Sequence, residues 1–202
     1  NQGVGKKYKE MLNSGNYEFV EPNWVIETSL ANDISYTSGI LWGLHNKRTI
    51  SNHPSVDSNA EKAWALTKGS KDVIVAVIDT GIRYTHQDLK ANMWKNLGEV
   101  AGNGLDDDNN GYIDDIYGIN AMSIAPESKR GDPMDDQGHG THIAGTIGAQ
   151  ANGGGKAVGV AWNVQLMALK FLGSDGRGNA ADTIACIDYT IDKGVDIINA
   201  SY

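Results

Sequence analysis

Residues 72–78 read DVIVAVI and run directly into Asp79, Thr80 and Gly81. Five of the seven are β-branched, which suits a pleated strand. Apolar side chains at consecutive positions leave no face for water. The run is therefore expected as a strand buried on both sides, as strands at the centre of a parallel sheet are. Downstream, residues 164–172, VQLMALKFL, read as a second strand, and Asp196, Ile197, Ile198 and Asn199 open another. A helix is expected to begin near Gly138 and His139 and to run through HIAGTIGA. A second helix is expected over residues 179–193, with Ile184, Ile187 and Ile191 at spacings of three and four and Gly194 as its stop. The order strand, loop, helix, strand, helix, strand implies an α/β fold, a parallel sheet with helices on both faces.

Upstream the pattern changes. Residues 1–15, NQGVGKKYKEMLNSG, look like the tail of a helix that stops at Gly15, and YEFV at 17–20 reads as a strand that WVI at 24–26 extends past Pro22. Residues 29–54 are rich in Asn, Ser, Thr, Gly and Asp and read as a linker or extended arm. Ser58, Asn59, Ala60 and Glu61 fit a capping box ahead of Ala63, Trp64 and Leu66, with Gly69 ending that short helix.

The length of 202 residues allows one domain with an appendage. A net charge of -8 argues against nucleic acid or an anionic membrane surface as a main partner. No apolar run approaches the roughly 18 residues of a membrane span. A single cysteine, Cys186, excludes an internal disulfide, and its place on a helix face reads as packing. The chain starts at Asn1 without a signal peptide and stops after a strand-like run, so both ends are expected to be truncations.

In open parallel sheets, sites form outside the carboxyl ends of the strands, which is where Asp79 falls. The simpler reading is a carboxylate that caps a turn. Asp-Thr-Gly is also the signature of aspartic proteases, but those need two such aspartates on a mostly β fold, and no second Asp-Thr-Gly or Asp-Ser-Gly occurs here. His139 falls at a helix start between Gly138 and Gly140, and Ala144 and Gly145 would let that helix approach the sheet. His139 and His142 could form a metal pair, although zinc sites usually take histidines four apart with an acidic neighbour. Taken together, Asp79 and His139 suggest a carboxylate that fixes an imidazole in its proton-accepting tautomer.

A second constellation is acidic. Between Lys95 and Lys129 there is no Lys or Arg, while Glu99, Asp106, Asp107, Asp108, Asp114, Asp115 and Glu127 all fall there. Asp106, Asp108, Asn110 and Gly111 occupy positions 1, 3, 5 and 6 of an EF-hand-type calcium loop, and Tyr112 could add its carbonyl. Tyr117 stands where the closing glutamate belongs, so Asp114 or Asp115 must supply that carboxylate. Oxygen-only ligands favour calcium over zinc. The alternative is a solvated acidic loop.

VIDTGIRYTHQDL followed by HGTHIAGTIGA resembles the first two active-site blocks of the subtilisin-like serine proteases, in which Asp precedes His. LWGL at 41–44, AVGVA at 157–161, LGSDGRG at 172–178 and DIINAS at 196–201 resemble further family segments. The resemblance covers roughly residues 17–202. It implies a secreted endopeptidase with polypeptide substrates and with its own propeptide as inhibitor. Asp79 and His139 would be catalytic. Gly176, Arg177 and Gly178 would pair with the substrate backbone, and Ser201 would do so from the opposite side. Residues 1–30 would be the end of the propeptide, cut between Glu27 and Asp33, and residues 31–202 the first part of the catalytic domain. Asp88 and Asn152 match positions that hold a stabilising calcium in relatives. The family's Gly-Thr-Ser-Met-Ala-like nucleophile block is absent, so this polypeptide alone is expected to be inactive and its full-length parent active. A non-enzymatic, calcium-stabilised binding module remains the alternative.

Overall fold

The computed structural model describes residues 7, 9–11, 13–15, 31–47 and 56–202. Its centre is a four-stranded parallel sheet in the order β2-β3-β1-β4, with β1 at Ile74–Asp79, β2 at Gly118–Asn120, β3 at Gln165–Lys170 and β4 at Ile197–Ala200. β1 is paired on both sides, and its register sets Asp79 opposite Lys170.

Alternation along β1 divides the core in two. Val75 and Val77 join Leu166 and Ala168 of β3 in a cluster with Ala144, on the face covered by the helix His139–Gly148. Ala76 and Ile78 join Met167, Leu169, Ile119, Cys186 and Tyr189 on the other face, beneath the helix Ala180–Asp192. Burial on both faces is what the unbroken apolar run implies. The sheet with helices on both faces is thus the α/β arrangement expected from the sequence. Two shorter helices precede these, so they are α1 (Ile34–Thr37), α2 (Ala60–Trp64), α3 (His139–Gly148) and α4 (Ala180–Asp192).

In α4 the stripe of Ile184, Ile187 and Ile191 is exposed, and Asp182, Cys186, Tyr189 and Thr190 are buried. Residues 182, 186, 189 and 190 also stand three and four apart, and the bulk of Tyr189 against Trp94 and Tyr112 selects that face. The capping box at Ser58 does not form. Asn59 occupies the N-cap at φ 58, and Glu61 turns away to Tyr36 and to His45, 2.8 Å from its Nδ1. The helix stops at Trp64, well before Gly69, and Leu66 points into solvent.

The polar arm is not free along its described part. Ala31 and Tyr36 pack with Ala60, Trp64, Val158 and Trp162 in a third cluster, and Ser35 donates to the Lys156 carbonyl at 3.0 Å. Ahead of it, Lys7, Lys9, Glu10, Met11 and Asn13 are helical and Gly15 has φ +70, as a helix tail ending there requires. The strands expected at 17–20 and 24–26, and the arm from 48 to 54, lie outside the described residues.

Candidate active site

Strand β1 ends by placing Asp79 beneath the start of α3, fully buried. His139 is the first residue of α3, and its Nδ1 lies 2.8 Å from Asp79 Oδ1 and 2.9 Å from Oδ2. The backbone N–H of Thr80 donates to Oδ1 at 2.7 Å. An ionised carboxylate accepts only, so Nδ1 carries the proton of this bond and Nε2 is left as the basic nitrogen. The imidazole is 45% exposed, so a reacting group can approach Nε2 from solvent.

The helix start is held by side chains because its first amides have no intrahelical partner. His139 N donates to Gln137 Oε1 at 2.8 Å, Gly140 N to Thr80 Oγ1 at 2.9 Å, and Thr141 N to Asp135 Oδ2 at 3.0 Å. Gly140 has no room for a side chain, since a Cβ there would stand 2.2 Å from the Gly81 carbonyl oxygen and 3.1 Å from Asp79 Cβ. On the far side of Thr80, the buried Lys170 donates to the carbonyls of Thr80 (2.8 Å) and Leu172 (2.7 Å) and pairs with Asp136 at 2.7 Å. All three ammonium protons therefore have acceptors.

The rival readings lose their footing here. An all-parallel sheet with a single Asp-Thr-Gly is not an aspartic-protease frame. His142 is exposed one turn along α3, and among the described residues neither it nor His139 joins a group of three metal-ligating side chains.

Gly176, Arg177 and Gly178 lie in an exposed loop after β3, closed by Gly173 N to the Arg177 carbonyl at 2.9 Å and by Arg177 N to Asp175 Oδ1 at 3.1 Å. Ser201 follows β4, which among the described residues is the outermost strand on that side, and its hydroxyl accepts from Asn199 Nδ2 at 2.8 Å. The two segments thus leave the sheet beyond the carboxyl ends of β3 and β4.

In the acidic loop, Asp106 closes a turn by accepting from Asn110 N at 3.0 Å and Gly111 N at 2.8 Å. Glu99, Asp106 and Asp108 offer carboxylate oxygens that all lie within 4.8 Å of one another and could hold a metal ion. Asp108 Oδ2 is held by Asn96 Nδ2 (2.9 Å) and Lys193 Nζ (2.7 Å), while Oδ1 is shielded from solvent and has no partner. A shielded carboxylate oxygen without a protein partner is costly unless a water or a cation completes it. Burial opposes the charge of Asp108, but the bonds from Lys193 and Asn96 outweigh it and hold the carboxyl below its usual range.

The other acidic residues are engaged elsewhere. Asp114 accepts from Gly102 N and Gly104 N, at 2.6 and 3.0 Å. Asp115 is fully buried and accepts from Asn96, Asn110 and the Tyr189 hydroxyl, and burial pushes its carboxyl up. Tyr112 N donates to Asn110 Oδ1 at 2.8 Å. The structure therefore brings Glu99 to Asp106 and Asp108, and turns the side chains of Asp114 and Asp115 to other partners.

Asp88 is buried under the loop 150–157, accepting from Lys156 N and Ala157 N at 3.3 Å, and Gly155 leaves space for it, since a Cβ there would fall 1.2 Å from Oδ1. Asn152 sits in the same loop at φ 57, its side-chain oxygen accepting from Asn32 N at 2.8 Å and its backbone N–H donating to Asp33 at 3.0 Å.

Sequence reasoning missed Thr80, Asp135, Lys170 and Glu99 as parts of these sites. Lys170 did carry a signal, as the one charge in the run VQLMALKFL.

A parallel sheet with helices on both faces carries, at its carboxyl edge, a carboxylate–imidazole pair. The chain belongs to the subtilase family, whose model matches residues 70–202. It is 41% identical over 164 residues to a subtilisin-like protease 1 of Plasmodium berghei, covering 81% of this chain and 25% of that protein. To the subtilisin-like protease 1 of Plasmodium falciparum it is 44% identical over 129 residues, covering 63% of this chain and 18% of that protein. It is 31% identical over 193 residues to a thermophilic serine proteinase of Bacillus sp. strain AK1, covering 96% of this chain and 39% of that protein. The chain thus spans a quarter or less of the Plasmodium relatives. Among the described residues, no helix is long and apolar enough to cross a membrane.

Proposed function

We propose that the parent polypeptide is a secreted serine endopeptidase, and that this segment supplies its acid and its base. The observation that carries the reading is the bond from His139 Nδ1 to the buried Asp79, with Nε2 open. A serine from elsewhere in the parent attacks the scissile carbonyl and passes its proton to Nε2. Asp79 stabilises the imidazolium that forms. His139 then protonates the leaving amine, and water resolves the acyl-enzyme by the same base. Gly176, Arg177 and Gly178 on one side, and Ser201 on the other, pair with an extended substrate backbone as added strands.

Calcium orders the acidic loop in this reading. Asp106, Asp108 and Asn110 supply side-chain oxygens, Tyr112 its carbonyl, and Glu99 the carboxylate that the sequence assigned to Asp114 or Asp115. The support is the Glu99, Asp106 and Asp108 cluster with its unpartnered oxygen. Asp88 and Asn152 form a second, weaker position. Residues 1–30 are the end of a propeptide that inhibits the enzyme until cleavage, and residues 31–202 belong to the catalytic domain.

The test is turnover of a peptide substrate by the parent enzyme. Asp79→Asn lowers it by roughly 10⁴-fold, because the amide stabilises the wrong imidazole tautomer. Turnover near that of the wild type would reject the assignment.

A further inference from the structure

Asp135 lies four residues before His139, outside the mechanism derived above, yet it is the most heavily bonded carboxylate near the site. Its Oδ1 accepts from Thr80 Oγ1 (2.9 Å), Gln137 N (2.9 Å) and Gly138 N (2.8 Å). Its Oδ2 accepts from Thr141 N (3.0 Å) and from the Thr141 hydroxyl. A cap that served the helix alone would take only the local donors. Here the carboxylate also takes the hydroxyl of Thr80, which adjoins Asp79 at the end of β1. That hydroxyl accepts in turn from Gly140 N, adjoining His139. Thr141 also ties back across the site, its Oγ1 accepting from Arg83 N at 2.9 Å. One carboxylate therefore holds residues flanking both members of the Asp79–His139 pair, Thr80 by its hydroxyl and Gly138 and Thr141 by their amides.

We infer that Asp135 is a positioning residue for the catalytic pair, acting through the Thr80 hydroxyl and the first turn of α3 to fix the separation of His139 from Asp79. The inference rests on the endopeptidase reading for its effect on turnover, but its geometric content is independent of that reading. Asparagine is the informative replacement. It keeps the shape but has one acceptor oxygen, and its NH₂ would face donors that the carboxylate now satisfies. The pair then drifts, and misplacement of catalytic groups by about 1 Å lowers turnover by roughly 10²-fold. Substrate contacts at residues 176–178 and 201 are untouched, so KM stays within about twofold of wild type.

The experiment measures kcat and KM of the parent enzyme for Asp135→Asn, Thr80→Val and Thr80→Ser, together with the low-field NMR resonance of the His139 Nδ1 proton. The expected result is a fall in kcat without a rise in KM for Asp135→Asn and Thr80→Val, weakening of the Nδ1 resonance in both, and recovery of both readouts in Thr80→Ser. In a His139→Ala background, Asp135→Asn should add almost nothing, because the group it positions is gone. If Asp135→Asn fails to fold, the two Thr80 variants still decide the matter. An unchanged Nδ1 resonance in Thr80→Val, equal losses in Thr80→Ser and Thr80→Val, or a full additive loss in the His139→Ala background would overturn the inference. Wild-type parent that does not hydrolyse peptides, or does so without His139, would sink the endopeptidase reading instead, and the Nδ1 resonance would still judge the positioning role.

Discussion

Replacing Gly140 by alanine sets two known effects against each other. Inside a helix alanine is favoured over glycine by about 1 kcal/mol, and Gly140, second in α3, would gain no more than that, so propensity alone predicts a slightly more stable protein. The new Cβ, however, would stand 2.2 Å from the Gly81 carbonyl oxygen and 3.2 Å from Asp79 Oδ1. A comfortable carbon–oxygen contact is about 3.4 Å, so α3 must retreat from the end of β1 by about 1.2 Å. The atom it meets first is backbone, which cannot swing aside as a side chain can, and overpacking of this kind costs about 1–3 kcal/mol. Sterics win, for a net loss of up to about 2 kcal/mol. The same retreat would stretch the Asp79–His139 contact from 2.8 Å beyond hydrogen-bond range. Urea unfolding of the Gly140→Ala protein beside wild type reads the first effect, and the His139 Nδ1 resonance reads the second. A midpoint at or above that of wild type, with the resonance intact, would refute the account of why a glycine stands there.

Four further outcomes are expected. Burial works against the charge of Asp135, but the bonds from Thr141, Gly138, Gln137 and Thr80 outweigh it and leave the carboxyl below its usual range. A depressed folded value means that its stabilisation is present above about pH 4 and is lost as pH falls through the lower folded value, so Asp135→Asn should flatten the acid limb of a stability–pH curve. Cys186 is buried with its thiol pushed up to about 12 by burial and by Asp182, so a maleimide at neutral pH should label it only on unfolding. Chelation of calcium should open the loop around Asp106 to proteolysis and then lower the melting temperature, with Asp106→Ala/Asp108→Ala insensitive to chelator; equal sensitivity of mutant and wild type would move the ion to Asp88 and Asn152. N-terminal sequencing of matured parent enzyme should place its first residue between Glu27 and Asp33, and a start inside strand β1 would end the propeptide reading.

The parts that sequence reveals are those governed by one local rule. An unbroken apolar run specified a doubly buried strand, and the motifs around Asp79 and His139 placed both groups at the sheet's carboxyl edge. Choices between equivalent local patterns were not legible. Two stripes on α4 share helical spacing, and only the tertiary contacts of Tyr189 decide which is buried. Glu61 satisfies the capping-box pattern, yet Tyr36 and His45, docked from the arm, compete for it and win. In the acidic loop the order of carboxylates suggested Asp114 or Asp115 as the closing ligand. The chain instead folds Glu99 back from before the loop, through bonds to the amides of Asp107, Asp108 and Asp114.

Asp79 shares its side of β1 with Val75 and Val77, the side on which α3 lies. Gaining or losing one residue within this strand would rotate every later side chain to the opposite face. The carboxylate would then point toward α4, and the two halves of the core would exchange their contents. Evolution can lengthen or shorten an exposed turn such as residues 101–104 one residue at a time. In β1 it can only substitute, so length variation among descendants of this sequence should be confined to the loops, and strand β1 should keep its residue count.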